Sequence, residues 1–178
     1  LKNCLQGPSP SVNWAMAMPG FGQPYGTGLV LYGPPKGGKS VYLNAMIGQL
    51  HQDDPDAVVV KFDTELRGKF QNNTSNMAKF KIDADRYIVY DANQPELIFD
   101  RIEKDIAAAC EGGEKIKVVI IDSLSGIQGR RFMNATTVSQ QQIGDQAATI
   151  KDGLARILPT IRKYNIALIC TAHVRAEM

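Results

Sequence analysis

The chain has 178 residues and a formal net charge of +2, and 44% of its residues are hydrophobic and 21% charged. This length suits a single well-packed domain, and the composition argues against a disordered chain. No apolar run approaches the roughly 18 residues of a membrane-spanning helix, and the first ten residues, LKNCLQGPSP, lack the apolar stretch of a signal peptide. We therefore expect a cytoplasmic protein with no membrane partner. The charge is too small to indicate a nucleic-acid partner by itself.

The organisation along the chain predicts an α/β fold. Residues 1–27 are predicted to be an irregular lead-in, and residues 28–178 to be the folded core. Segments rich in β-branched residues predict five strands, at 28–33, 57–63, 86–91, 115–122 and 165–172. Several are almost continuously apolar, which is typical of strands covered on both faces. Strands that alternate with helices predict a parallel sheet with helices on both faces.

Three helices are predicted between these strands. The first covers 41–50, and the second covers 96–110 with a stripe at Ile98, Ile102, Ile106 and Ala109. The longest has its apolar stripe at Ile143, Ala147, Ile150, Leu154, Ile157 and Ile161. Pro159 lies within it, so we expect a kink or an early end there. Cys4, Cys110 and Cys170 fit no metal-ligand spacing and are expected to be buried free thiols.

The segment GPPKGGKS at 33–40 fits the Gly-x4-Gly-Lys-Ser pattern of a phosphate-binding P-loop. It follows a predicted strand and precedes a predicted helix, which is the context that the pattern requires. Small residues let backbone N–H groups curl around phosphates, and the helix N-terminus adds partial positive charge. Lys39 is expected to reach the β- and γ-phosphates of ATP, and the alternative is a plain glycine turn with a solvated lysine. The residues predicted to bind the nucleotide are Gly33, Pro34, Pro35, Lys36, Gly37, Gly38, Lys39, Ser40 and Val41.

Two acidic residues follow predicted strands. Asp122 ends the run KVVIID. Asp122 and the Ser40 hydroxyl are predicted to hold Mg²⁺ together, and Asp122 is expected to contact the ion through a water. The alternative is that Asp122 caps the following turn. Glu65 follows the strand that ends in FDTE and is predicted to be the catalytic base that deprotonates a water attacking the γ-phosphate. Asp63 is the other candidate base, and a solvated acid at a helix start is the alternative for Glu65.

These segments together resemble the RecA-type strand-exchange recombinases, most of all the phage UvsX branch. The resemblance is carried by five segments: the lead-in SVNWAMAMPGFGQPYGTGLVLYG, the strand ends FDTE and IIDSLSGI, and the stretches QIGDQAATIKDGLARIL and ICTAHVR. The resemblance implies a sheet in the order 3-2-4-5-1 and a polar nucleotide sensor at His173. RecA itself has glutamine there, whereas UvsX-like proteins resemble this chain in having histidine. A structural histidine at a strand end is the alternative. The chain stops where the family would begin a second DNA-binding loop.

A long polar connection, GRRFMNATTVSQQQIGDQ at 129–146, is a candidate DNA-binding loop. Arg130 and Arg131 are expected to pair with phosphates and Phe132 to stack on an unstacked base, while a solvated loop or a protomer contact is the alternative. We therefore expect an ATP-dependent recombinase that forms filaments on single-stranded DNA, with ATP between protomers. A DnaB-type hexameric helicase motor and a RecA-like mediator with little turnover are the alternatives, and Glu65 argues against the mediator.

Overall fold

The computed structural model describes residues 3–16, 21–66, 74–129 and 141–174. The strands in this part are β1 (Cys4–Leu5), β2 (Gln23–Pro24), β3 (Gly28–Gly33), β4 (Val58–Asp63), β5 (Tyr87–Asp91), β6 (Ile116–Asp122) and β7 (Ala167–His173). The α-helices are α1 (Pro10–Met16), α2 (Lys39–Asp53), α3 (Thr74–Phe80), α4 (Pro95–Asp100), α5 (Ala107–Glu111) and α6 (Gln141–Lys163).

Five of the strands form one parallel sheet, in the order β3-β7-β6-β4-β5. These are the five strands predicted from the sequence, with ends displaced by one or two residues at most. The α/β class and the parallel sheet are therefore confirmed. Counted along the chain within this sheet, the order from the β5 edge to the β3 edge is 3-2-4-5-1.

Each face of the sheet packs against helices through its own apolar cluster. Because side chains alternate along a strand, β4 sends Val59 to one face and Val60 and Phe62 to the other. The first cluster also contains Leu43, Met46 and Ile47 of α2, and the second contains Ile98 of α4 and Ile157 of α6, among other residues. Each buried side chain of this size contributes roughly 1.5–3 kcal/mol. Helices therefore lie on both faces, as predicted.

The second predicted helix, at 96–110, is continuous in the structure but not uniform. Between α4 and α5 runs a π-helical segment, Arg101–Ile106. The predicted apolar stripe is confirmed at Ile98, Ile102 and Ile106, which are buried, while Ala109 is half-buried and packs against the same core cluster. The Arg101 guanidinium lies 4.6 Å from the centre of the Tyr90 ring on β5, the edge strand that this helix covers.

The longest helix does not end early at Pro159, because α6 continues to Lys163. Pro159 lies on the exposed side of the helix, while Ile157 and Ile161 on either side of it are fully buried. Burial of these two residues holds the last turns in place although the proline removes a backbone donor. Ala147, which the predicted stripe included, is exposed, and Thr149 is buried in that turn instead.

The lead-in at 1–27 is not irregular throughout, which corrects the prediction. It contains α1 and the antiparallel pair of β1 with β2. The Asn13 side chain accepts a hydrogen bond from the Gly7 N–H at 2.7 Å and donates one to the Gly7 carbonyl at 2.8 Å. The buried Gln23 amide donates to the Leu168 carbonyl of β7 at 2.9 Å, which ties the lead-in to the sheet.

The three cysteines are free, but only Cys170 is fully buried, since Cys4 and Cys110 are half-buried. Burial raises the pKa of the Cys170 thiol to about 12. In the described part of the chain, no helix combines the length and the apolar character needed to cross a bilayer.

Two helical glycines provide a matched test of the packing. A Cβ at Gly48 of α2 would lie 1.7 Å from the Phe80 carbonyl oxygen of α3, whereas a Cβ at Gly144 of α6 meets no atom within 4 Å. We expect Gly48→Ala to lower the free energy of unfolding by roughly 1–3 kcal/mol through overpacking. Gly144→Ala should raise it by about 0.5–1 kcal/mol, because alanine is the better helix former. Urea unfolding measures both, and equal effects of the two substitutions would contradict this packing.

Candidate functional site

The candidate site lies where parallel strands end at one edge of the sheet. Here a cavity of ≈ 520 Å³ opens beside the N-terminus of α2. Its lining combines the glycine-rich loop with side chains from the ends of β4, β6 and β7. The lining residues are Pro35, Lys36, Gly37, Gly38, Lys39, Ser40, Val41, Asp63, Glu65, Asp122 and His173.

The loop at 33–40 has two residues in the left-handed conformation, Lys36 with a φ of 62° and Gly38. Gly38 caps α2 with a φ of 86°, a left-handed conformation that favours glycine, and it gives the helix no side-chain cap. The first turn of α2 therefore has backbone N–H groups without helical acceptors, and Lys39, Ser40 and Val41 of this turn line the cavity. The Lys39 ammonium donates to the carbonyls of Gly33 and Pro34, each at 2.9 Å, and so bridges its own loop.

Asp122 is held by two donors from neighbouring strands. The Lys61 ammonium of β4 lies 2.8 Å from Oδ2, and the Thr171 hydroxyl of β7 donates to Oδ1 at 2.5 Å. Burial alone would raise the pKa of the Asp122 carboxyl, but the charge and hydrogen bond of Lys61, the hydrogen bond from Thr171 and nearby His173 hold it below its usual value. The carboxylate is therefore ionised and fixed in orientation.

Lys61 is almost completely buried, with 5% of its surface exposed. Burial would lower the pKa of its ammonium, but the influence of Tyr87 and of Asp122 and Asp63 raises it. Removing one partner of a buried ion pair typically costs about 3–5 kcal/mol, because the remaining charge stays desolvated. Lys61 is not among the residues that line the cavity, but it holds Asp122, which is. We call Lys61, Asp63 and Asp122 together the floor of the cavity.

Glu65 and His173 are in direct contact at the rim. His173 Nε2 lies 2.5 Å from Glu65 Oε1, and the Ser123 hydroxyl donates to the same oxygen at 3.2 Å. The Ser125 hydroxyl accepts the His173 backbone N–H at 3.3 Å. This contact joins the ends of β4 and β7 across β6. The two residues are 108 positions apart in the sequence, so no local pattern predicted that they meet.

Buried hydrogen bonds fix the turns that carry these residues. The Thr64 hydroxyl donates to the Ser123 carbonyl at 2.5 Å and accepts the Ser123 N–H at 2.8 Å. Asp63 accepts the Glu65 N–H at 3.1 Å. Gly126 packs so closely that an added Cβ would lie 2.3 Å from the Thr64 hydroxyl. The turns after β4 and β6 are therefore locked together.

Most of the predicted site residues converge on this cavity. Gly33 and Pro34 do not line it, but their carbonyls hold Lys39. Arg130, Arg131 and Phe132 lie outside the described residues. The predicted connection at 129–146 is shorter than expected, because α6 begins at Gln141.

The sequence interpretation missed several residues around Asp122, namely Lys61, Thr64, Ser123 and Thr171. Lys61 had a visible signal, because a lysine within the apolar run AVVVKFD interrupts a strand expected to be buried on both faces. A charge at such a position is rarely buried unless it is paired. The polar residues beside it gave no comparable signal.

The side chains at this site suit a Mg²⁺ ion that is bound partly by the protein and partly by a phosphate group, rather than by the protein alone. Within the described ranges, no group of three or more His, Cys, Asp or Glu side chains is arranged to hold a metal. Mg²⁺ is usually bound by one or two carboxylates together with substrate phosphates and waters. Ser40 and Asp122 line one cavity, and each Asp122 oxygen retains acceptor capacity for a metal-bound water. These are the residues that would hold the ion.

Comparison with models of protein families finds no family that matches the chain, and comparison with curated proteins finds no match.

Proposed function

We propose that this chain is the RecA-like core of an ATP-dependent DNA recombinase, which binds single-stranded DNA as a filament and hydrolyses ATP. The observation that carries the ATP part is the single cavity that contains the glycine-rich loop, Glu65, Asp122 and His173. Phosphates suit the loop because backbone N–H groups and a lysine converge there. The strand order 3-2-4-5-1 is the one that the recombinase resemblance implies, which supports the choice of family.

In this proposal, the residues of the chain divide the chemistry among them. Lys39 leaves the neutral carbonyls of Gly33 and Pro34 and donates to phosphate oxygens instead. The new hydrogen bonds are stronger, because donor and acceptor are both charged. Mg²⁺, when bound, neutralises charge on the β- and γ-phosphates. Glu65 releases His173 and Ser123 and accepts a proton from the attacking water. Thr64 and Asp63 keep the Glu65 turn in position while this occurs.

The proposed assembly into filaments on DNA is tested by electron microscopy. The protein is imaged with a non-hydrolysable ATP analogue, with and without single-stranded DNA. Helical filaments that require DNA support the recombinase. Closed hexamers would instead favour the helicase motor, and isolated protomers the mediator. Arg130, Arg131 and Phe132 remain the proposed DNA contacts.

The contact between Glu65 and His173 leads to a prediction about coupling. His173 joins Glu65, the residue proposed to act on ATP, to the end of β7. By resemblance to the recombinases, a further DNA-binding region is proposed to begin at Val174, directly after His173. His173 pairs with Gly33, where the loop begins, through strand pairing of the backbone, while its imidazole is hydrogen-bonded to Glu65. We expect His173→Ala to change nucleotide affinity by no more than a few-fold, because the substitution removes the imidazole and leaves this backbone pairing in place. It should remove most of the gain in DNA affinity that ATP gives over ADP, typically 1–3 kcal/mol.

The measurement compares DNA affinity with ADP and with a non-hydrolysable ATP analogue, in both proteins. His173→Gln is the matched control, since its amide still reaches Glu65 by hydrogen bonding and should keep much of the difference. A His173→Ala protein that keeps the full difference would reduce His173 to a structural role.

A further inference from the structure

We propose that the Lys61 ammonium, a permanent positive charge beside the metal site, weakens Mg²⁺ binding at Asp122. Mg²⁺ binding would then require a bound nucleotide. This inference rests on the proposed function, because it concerns the same cavity. Its basis is the ion pair between the buried Lys61 ammonium and Asp122 Oδ2 at 2.8 Å.

The strand register brings these groups together. Asp63 of β4 is the register partner of Asp122 of β6, so two acidic residues stand side by side on the sheet. Lys61 lies two residues before Asp63, on the same face of β4, and reaches diagonally to Asp122. The floor of the cavity therefore combines one formal positive charge, on Lys61, with two formal negative charges, on Asp63 and Asp122.

A lysine at this position does two things to a metal that uses Asp122. It keeps the carboxylate in one orientation together with Thr171. It also occupies one side of Oδ2 and repels a second cation a few ångströms away, a repulsion that is strong where water is excluded. A phosphate arriving in the loop supplies the negative charge that offsets this repulsion. Mg²⁺ is then retained with the nucleotide and not without it.

The test replaces Lys61 by methionine, which keeps most of the length of the side chain and removes its charge. Binding of a fluorescent ADP analogue is followed as Mg²⁺ is titrated, so no hydrolysis is involved. We expect Lys61→Met to lower the Mg²⁺ concentration for half-maximal binding by about tenfold or more. A purely structural role for Lys61 would leave this concentration unchanged or raise it.

Lys61→Met leaves the buried Asp63 carboxyl next to the partly buried Asp122 carboxyl with no cation between strands to offset them, and the variant can fail to fold, so a second variant carries the same test. Lys61→Met combined with Asp63→Asn removes one formal charge of each sign, which leaves the formal charge of the floor as in the wild type. Asp122 nonetheless loses the positive charge beside it, so the same decrease in Mg²⁺ requirement is expected. In an Asp122→Asn background, Lys61→Met should have no effect on the Mg²⁺ requirement.

The outcomes separate this inference from the proposed function. If the wild type binds the ADP analogue with Mg²⁺ but the folded variants need as much Mg²⁺ as it does, the role of Lys61 is refuted and the nucleotide site stands. A persisting effect of Lys61→Met in the Asp122→Asn background also refutes it. A wild type that binds no nucleotide at any Mg²⁺ concentration overturns both.

Discussion

Lys39→Ala is expected to lower ATP affinity by roughly 100-fold or more. Hydrogen bonds to charged groups contribute about 1.5–3 kcal/mol each, and Lys39 is expected to make at least two to phosphate oxygens. Its ammonium already lies at the loop, where it donates to the carbonyls of Gly33 and Pro34. Lys36, the other lysine of the loop, is exposed, and no side-chain hydrogen bond or ion pair to the described residues anchors it in this way.

Calorimetric titration with a non-hydrolysable ATP analogue measures this effect. Because Lys39 also bridges its own loop, the thermal unfolding of the variant must be compared with that of the wild type. Lys39→Met is the matched variant, since it keeps most of the side-chain volume and should lose affinity to a similar extent. Lys104→Ala removes an exposed lysine of the π-helical segment and should leave affinity unchanged. Unaltered affinity in Lys39→Ala would refute the phosphate-binding role of the loop.

Glu65→Gln is expected to reduce ATP hydrolysis by roughly 100-fold or more while ATP and Mg²⁺ still bind. A positioned general base typically contributes 10²–10⁴-fold to the rate, and glutamine has the same shape but cannot accept the proton. The contacts of Glu65 with His173 and Ser123 hold its carboxylate at the rim of the cavity. Glutamine can still form hydrogen bonds to both, so the fold of the rim should survive.

Asp63→Asn is the control for this variant, because Asp63 was the other candidate base. Asp63 is 2% exposed and accepts the Glu65 N–H, a role that an asparagine oxygen can keep. Single-turnover hydrolysis, measured with ATP affinity, distinguishes the two. A large loss in Asp63→Asn together with near wild-type turnover in Glu65→Gln would assign the base to Asp63.

Local patterns in the sequence were sufficient to predict the strands of the main sheet and most of the helices that pack on it. Continuous apolar runs marked β4, β6 and β7, because strands covered on both faces contain few polar residues. A stripe at Ile98, Ile102 and Ile106 marked the helix after β5. The helix does not end early at Pro159, because a proline is tolerated on the exposed side of a helix whose other side is buried, and burial is not a local property.

The sequence by itself indicated a glycine-rich turn between β3 and α2, with a lysine and a serine directly after Gly38 at the spacing of a phosphate-binding loop. The structure adds that Gly38 is left-handed, a conformation that glycine adopts without strain. It also indicated Asp122 and Glu65, because acidic residues directly after buried strands stand at the edge where parallel sheets end. Only the tertiary structure decided their partners. Lys61 meets Asp122, and His173 meets Glu65, because parallel register aligns residues that are 61 and 108 positions apart, and no short-range pattern encodes that alignment.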